Sequence, residues 1–239
     1  MSTSPEGDPP ISMIAAEERT PFAWAARLMG TALAWYLRFV AATSRFPHPE
    51  VNQEQTVFAV WHESNLAAAT ASWRLRHDRH FVSFSTRGFR GIMMNAMLRA
   101  MGCGVVTLPE EGRATRAEAG RLSLELARVA REGRTVVVSC DGPFGPYRKA
   151  KPGVLLVARE AAVPIQPWAV SVRPTLRLRG RWDRHLVPLP FSRIRVWEGD
   201  LISVGPRTPL KPLLARLQGE LDRVAGLADA RMAGEAPGE

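Results

Sequence analysis

From residue 56 onward, short apolar runs alternate with longer stretches whose apolar residues recur every three or four positions. "TVFAVWH" (56–62), "HFVSFST" (80–86), "GVVTLP" (104–109), "TVVVSC" (135–140), "PIQPWAVSV" (164–172) and "RIRVWEG" (193–199) are rich in valine and aromatics and predict strands. Between them, residues 63–77, 91–102, 113–133 and 153–162 predict helices, and 209–232 a terminal one. Gly102 and Gly133 stand as stop signals. "TVVVSC" is apolar throughout rather than alternating, the pattern of a strand covered on both faces. The fold class expected is therefore α/β, a largely parallel sheet flanked by helices. Residues 173–192, "RPTLRLRGRWDRHLVPLPFS", break the pattern with prolines and arginines and read as a loop.

Upstream of this pattern the chain changes character. Residues 1–20 are polar and proline-bearing, a flexible segment, and 233–239 form a flexible tail. Residues 21–46 predict an amphipathic helix, leaving 47–232 as the α/β domain. The uncharged run between Arg27 and Arg38 is ten residues, far short of the roughly 20 needed to span a bilayer. Trp24, Trp35, Tyr36 and Phe39 mixed with arginines suit a helix lying in a membrane interface, or one simply packed on the domain.

Composition adds a sign of charge. The 239 residues carry a formal net charge of +9, which favours anionic partners, and 46% hydrophobic residues suffice for a core. Lysine occurs only at 149, 151 and 211, so arginine supplies nearly all the positive charge. Duplex or single-stranded nucleic acid is not the expected partner, because the aromatics do not interleave with the basic residues as stacking platforms. Cys103 and Cys140 both sit in apolar runs, so buried thiols in a reducing cytoplasm are expected.

Ligands of open α/β sheets collect at the carboxyl ends of strands. Those ends read His62, Thr86-Arg87, Glu110/Glu111 and Asp141. An imidazole there is either a general base near neutral pH or a hydrogen-bonded structural histidine. "FSTRGFRG" (84–91) puts Arg87 and Arg90 among glycines at a helix entrance, where backbone N–H groups and guanidiniums hold a phosphate or carboxylate. In "DGPFGPYRKAKPG" (141–153), Gly142, Pro143, Gly145 and Pro146 fix a rigid loop, and Arg148, Lys149 and Lys151 charge it. Walker, "GxGxxG" and "GxSxG" patterns are absent, and the histidines at 48, 77, 80 and 185 form no metal-ligand spacing, so no metal is expected.

Taken together, "AVWHESNL", "FSTRGFRG", "SCDGPFGPYRKAKPGVLLVAREAAVPIQPWAVSV" and "WDRHLVPLPFSRIRVWEGD" resemble the lysophospholipid acyltransferase superfamily. The nearest likeness, over about residues 55–205, is a bacterial subgroup of unknown function related to the lipid A late acyltransferases. The resemblance implies a glycerolphosphate acyltransferase-like fold and transfer of an acyl chain to a hydroxyl of a lysophospholipid or lipid A-type acceptor. The donor would be acyl-CoA or acyl-carrier protein, with no bound cofactor. The protein would sit peripherally on the inner face of the cell membrane. His62 would be the general base and Asp141 a second catalytic group. Arg87, Arg90, Gly142, Pro143, Gly145, Arg148 and Lys149 would bind substrate. In the wider superfamily an acid stands five residues beyond the histidine. Here that residue is Ala67, which leaves Glu63 and Asp141 as candidates to orient His62. The missing acid also keeps open a non-catalytic, lipid- or phosphate-binding member of the same fold.

Overall fold

The computed structural model describes residues 22–47, 54–76, 79–86, 88–107, 116–142 and 144–234. The segment 1–20, most of the 233–239 tail, Arg87, Glu110, Glu111 and Pro143 lie outside the described residues. Six strands and six α-helices form an α/β unit: β1 (Val57–Val60), β2 (Phe81–Ser85), β3 (Gly104–Thr107), β4 (Thr135–Ser139), β5 (Ile165–Arg177) and β6 (Leu186–Glu198), with α1 (Ala23–Thr43), α2 (Asn65–Arg74), α3 (Gly88–Ala100), α4 (Arg116–Arg131), α5 (Gly153–Ala161) and α6 (Leu210–Ala233). The strand order is β3-β2-β4-β1-β5-β6. All neighbours are parallel except β5 and β6.

The apolar runs follow from this layering. Successive side chains of a strand point to opposite faces. Val57 and Ala59 enter a core with Val136, Leu126 of α4, Leu155 of α5 and Leu217 of α6. Phe58 and Val60 enter a second core with Leu37 of α1, Ala71 of α2 and Met97 of α3. Both faces of the central strands are covered, so their middle residues are apolar, and the polar Thr135 and Ser139 fall at the ends of β4.

The largest departure from the sequence pattern is at 173–192. In place of a loop, β5 runs on to Arg177 and β6 begins at Leu186, and the two pair antiparallel as a long hairpin. Pro188 and Pro190 lie on β6, which is the sheet edge, where a missing N–H leaves no ladder bond unmade. A register shift between Arg173 and Thr175 accommodates Pro174. Beyond Val172 the pattern on β5 turns from fully buried to mixed exposed and half-buried. Helix α2 also starts later than its apolar spacing suggests, since residues His62–Ser64 form a single 3-10 turn first.

In α1 the small residues face the domain. Ala26, Gly30, Ala34 and Ala41 are buried with Leu37 and Val40, whereas Phe22, Trp24, Leu28, Met29, Trp35 and Phe39 are exposed. Gly30 permits the closest approach: a Cβ there would overlap the carbonyl oxygen of Met93 in α3. Gly30→Ala is therefore expected to lower stability by about 2 kcal/mol through overpacking against backbone. Gly219→Ala, at an exposed position of α6 with open space around it, is expected to raise stability by up to about 1 kcal/mol. Urea midpoints of the two variants should move in opposite directions.

Candidate active site

The register of the two central strands brings the sequence's two chemical landmarks together. Val60 of β1 stands opposite Ser139 of β4, so His62 and Asp141, each two residues further on, emerge side by side at the carboxyl edge. Asp141 is fully buried. Its Oδ1 accepts the main-chain N–H of His62 at 2.9 Å, and Oδ2 accepts that of Arg148 at 3.2 Å. Burial pushes the Asp141 carboxyl above its ordinary value, and these main-chain hydrogen bonds oppose the rise. Asp141 thus fixes the backbone of the His62 turn and of the 141–151 loop rather than the imidazole ring.

The ring itself is held by residues that the sequence pattern does not single out. Nδ1 of His62 lies 3.2 Å from Asn65 Nδ2. Asn65 Oδ1 in turn accepts the Ser139 hydroxyl at 2.8 Å. On the other side, Nε2 lies 3.7 Å from Oδ2 of Asp183. Asp183, on the β5–β6 turn, is fully buried and takes two hydrogen bonds of 2.9 Å from Arg181. His185 Nδ1 stands 3.3 Å from the same carboxylate. Burial opposes the charge on Asp183, but Arg181 and His185 hold its carboxyl below the ordinary value. The Trp182 ring covers His62 at 5.3 Å between centroids.

Burial, the neighbouring His185, and the positive charges of Arg181 and Lys151 together drive the His62 pKa down to about 4, against the opposing pull of Asp183. The imidazole is neutral at physiological pH. Its side chain stays 24% exposed, so one edge is open to a partner.

That open edge faces a cavity of about 350 Å³. His62, Asn65, Ser139, Gly142, Arg181 and His185 give one end polar character. Leu33 of α1, Met93, Met97 and Leu98 of α3, and Phe81 of β2 make most of the remainder apolar, with hydroxyl side chains of β2 and Arg90 between them. This is a common size and makeup for a small-molecule site.

Of the expected site residues, His62, Gly142 and Arg90 meet on this cavity. Gly145 adopts φ 71° and packs on Trp182, where a Cβ would come within 2.8 Å of the ring. Lys151 lays its ammonium against Gly142. Arg148 turns away: its Nε reaches Glu63 Oε1 at 2.6 Å, and its Nη2 reaches Asp229 Oδ2 at 2.6 Å. Lys149 is exposed and lines neither this cavity nor the second one described below. Glu63 also faces away from the imidazole, accepting hydrogen bonds from Tyr147 and Arg177 at 2.8 and 2.7 Å. Ala67 is fully buried in the α1–α3 core layer, so the carboxylate nearest the ring comes from the hairpin. The one sequence signal for that was the spacing "WDRH", an acid two residues before a histidine.

No family model matches the chain. The chain is similar to the uncharacterized protein RP090 of Rickettsia prowazekii (strain Madrid E). The two are 28% identical over 184 residues, which cover 72% of this chain and 79% of that protein.

Proposed function

We propose that the protein is a membrane-associated acyltransferase. It would move an acyl chain from an acyl thioester, on coenzyme A or an acyl-carrier protein, to a hydroxyl of a lysophospholipid or lipid A-type acceptor. The observation that carries this reading is the largely apolar cavity opening directly on a neutral histidine. Such a cavity suits an alkyl chain whose reactive end lies at His62, with Met93 and Met97 as adaptable wall residues.

In this reading the imidazole takes the acceptor's hydroxyl proton as its oxygen attacks the thioester carbonyl. The new C–O bond forms, the C–S bond breaks, and the leaving thiolate receives the proton. Turning the Asn65 amide about lets Oδ1 accept the Nδ1 proton while Nδ2 donates to the Ser139 hydroxyl. Nε2 then offers its lone pair, and Asp183 stabilises the imidazolium as it forms. Arg181, Lys151 and Arg90 would offset negative charge on the reacting oxygen or an acidic head group.

The exposed aromatic face of α1 supports a seat on the bilayer surface. Trp24 is 67% and Trp35 61% exposed, and Phe191 on the hairpin, 74% exposed, meets Phe39 edge-on at 6.4 Å. Arg38 stacks over Trp35 at 4.5 Å, the pairing of aromatic and cation that suits an anionic lipid interface. Among the described residues no helix is long and apolar enough to cross a membrane.

His62→Ala should abolish acyl transfer while leaving thermal unfolding in place. Lipid mass spectrometry of cells with and without the gene should show one lipid class short of an acyl chain. Lipid binding without acylated product from the unaltered protein would favour the non-catalytic alternative. Because the base acts unprotonated, kcat/KM should stay level from pH 8 to 6 and fall only as pH approaches about 4. Asp183→Asn should lower kcat by about 100-fold and move that acidic limb lower still, since the carboxylate raises the His62 pKa. Trp24→Glu/Trp35→Glu should cut co-sedimentation with phosphatidylglycerol vesicles at least ~10-fold without changing the fold, given the apolar area each tryptophan offers.

A further inference from the structure

The β5–β6 hairpin has a second face that the proposed chemistry at His62 does not use. Leu178, Arg181 and His185 line the cavity at His62, whereas Arg177, Arg179 and Arg184 line a separate cleft of about 640 Å³. Tyr147, Arg148 and Asp229 complete its wall.

Two of the four arginines are locked in place. Glu63, only 1% exposed, accepts from Tyr147 Oη at 2.8 Å, Arg148 Nε at 2.6 Å and Arg177 Nη1 at 2.7 Å. Asp229 of α6 accepts Arg148 Nη2 at 2.6 Å and Arg177 Nη2 at 2.7 Å. Two guanidinium forks are thereby fixed by a pair of carboxylates, in orientations set by three separate elements of the fold. Arg184 lies over the Tyr147 ring at 4.7 Å, with its backbone in the left-handed region at φ 46°. Arg179, exposed on the same turn, adds a fourth guanidinium. Against Glu63 and Asp229 the cleft keeps two surplus positive charges in a concave setting.

Concentrating guanidiniums this way raises the potential inside the cleft, an arrangement that an anion with several acceptor oxygens relieves. Planar forks match the tetrahedral oxygens of phosphate better than a point charge does. We propose that this cleft binds a phosphate group carrying two negative charges, at a site separate from the cavity at His62. The site does not depend on acyl transfer, and its test is a binding measurement that holds whatever His62 does. The same phosphate chemistry reaches the protein either as a lipid head group or on a soluble phosphoester.

The test uses calorimetric titration of the full chain with inorganic phosphate. Arg179→Gln/Arg184→Gln should weaken binding at least tenfold, whereas Arg121→Gln/Arg207→Gln, which removes the same charge from exposed positions outside the cleft, should not. Asp229→Asn keeps an acceptor oxygen for one of the two guanidiniums, frees the other and removes a repelling charge, so it should tighten binding severalfold. This gain cannot arise from a damaged fold. Two further arms separate the sources. Preference for lysophosphatidate over lysophosphatidylcholine in neutral vesicles, lost in the Arg179/Arg184 variant, identifies the head group. Binding of free coenzyme A, lost in the same variant, identifies the soluble phosphoester. Absence of phosphate binding, equal weakening by the two double variants, or no gain from Asp229→Asn would overturn the proposal.

Discussion

The site hangs on one buried carboxylate. Asp141 sits at the end of β4 with no exposure to solvent, and both its oxygens are committed to main-chain N–H groups, one from His62 and one from Arg148. Burying a carboxylate is costly unless hydrogen bonds replace the lost water. Here the replacement bonds come from the two segments that must be held in register, the 3-10 turn after β1 and the charged loop after β4. Parallel pairing of β1 with β4 puts those segments next to each other, and Asp141 fixes the spacing between them.

A second buried acid extends that hold to the far parts of the chain. Glu63 follows His62 directly and gathers Tyr147, Arg148 and Arg177, while Asp229 brings in the terminal helix. Glu63 is the buried member of this set, and leaving its charge unpaired would be costly, whereas its partners keep some contact with water. The network therefore ties the hairpin, the 141–151 loop and α6 to the turn that presents the imidazole. The hairpin must be seated for Asp183 and Trp182 to meet His62 at all.

Local pattern was legible where local pattern decides the structure. The apolar runs of β1 and β4 and the helical spacing of α4 and α6 gave the elements, and strand ends gave His62 and Asp141. What Asp141 does was not legible, because a carboxylate's partners depend on which strands are neighbours. The inner halves of β5 and β6 are legible as apolar runs, but their extension through 173–192 is not, because arginines and prolines mark irregular chain unless the strand lies at a sheet edge. The orienting acid went unseen for the same reason. Asp183 is separated from His62 by more than half the chain, and only the extension of β5, parallel to β1, brings the turn that carries it to the imidazole. In α1, small residues facing inward and large aromatics facing outward invert the usual relation between hydrophobicity and burial.

The groups around His62 pull its protonation in two directions. Burial, His185, Arg181 and Lys151 all disfavour a proton on the ring, which keeps a ring lone pair available. The same cations favour any negative charge that builds on an oxygen beside the ring, and donors of this kind are typically worth about 2.7–4 kcal/mol when water is excluded. Asp183 works in the opposite sense, raising the His62 pKa, and in the proposed reaction it would stabilise the imidazolium once the proton has moved. An acid at position 67 would have to enter the apolar core that Ala67 shares with Leu37, Phe58 and Met97. The turn at 181–185 offers instead a carboxylate already charged and already hydrogen-bonded by Arg181. In the proposed reaction, a base whose partner is prepaired in this way would need little reorganisation as charge develops on a hydroxyl at the apolar cavity.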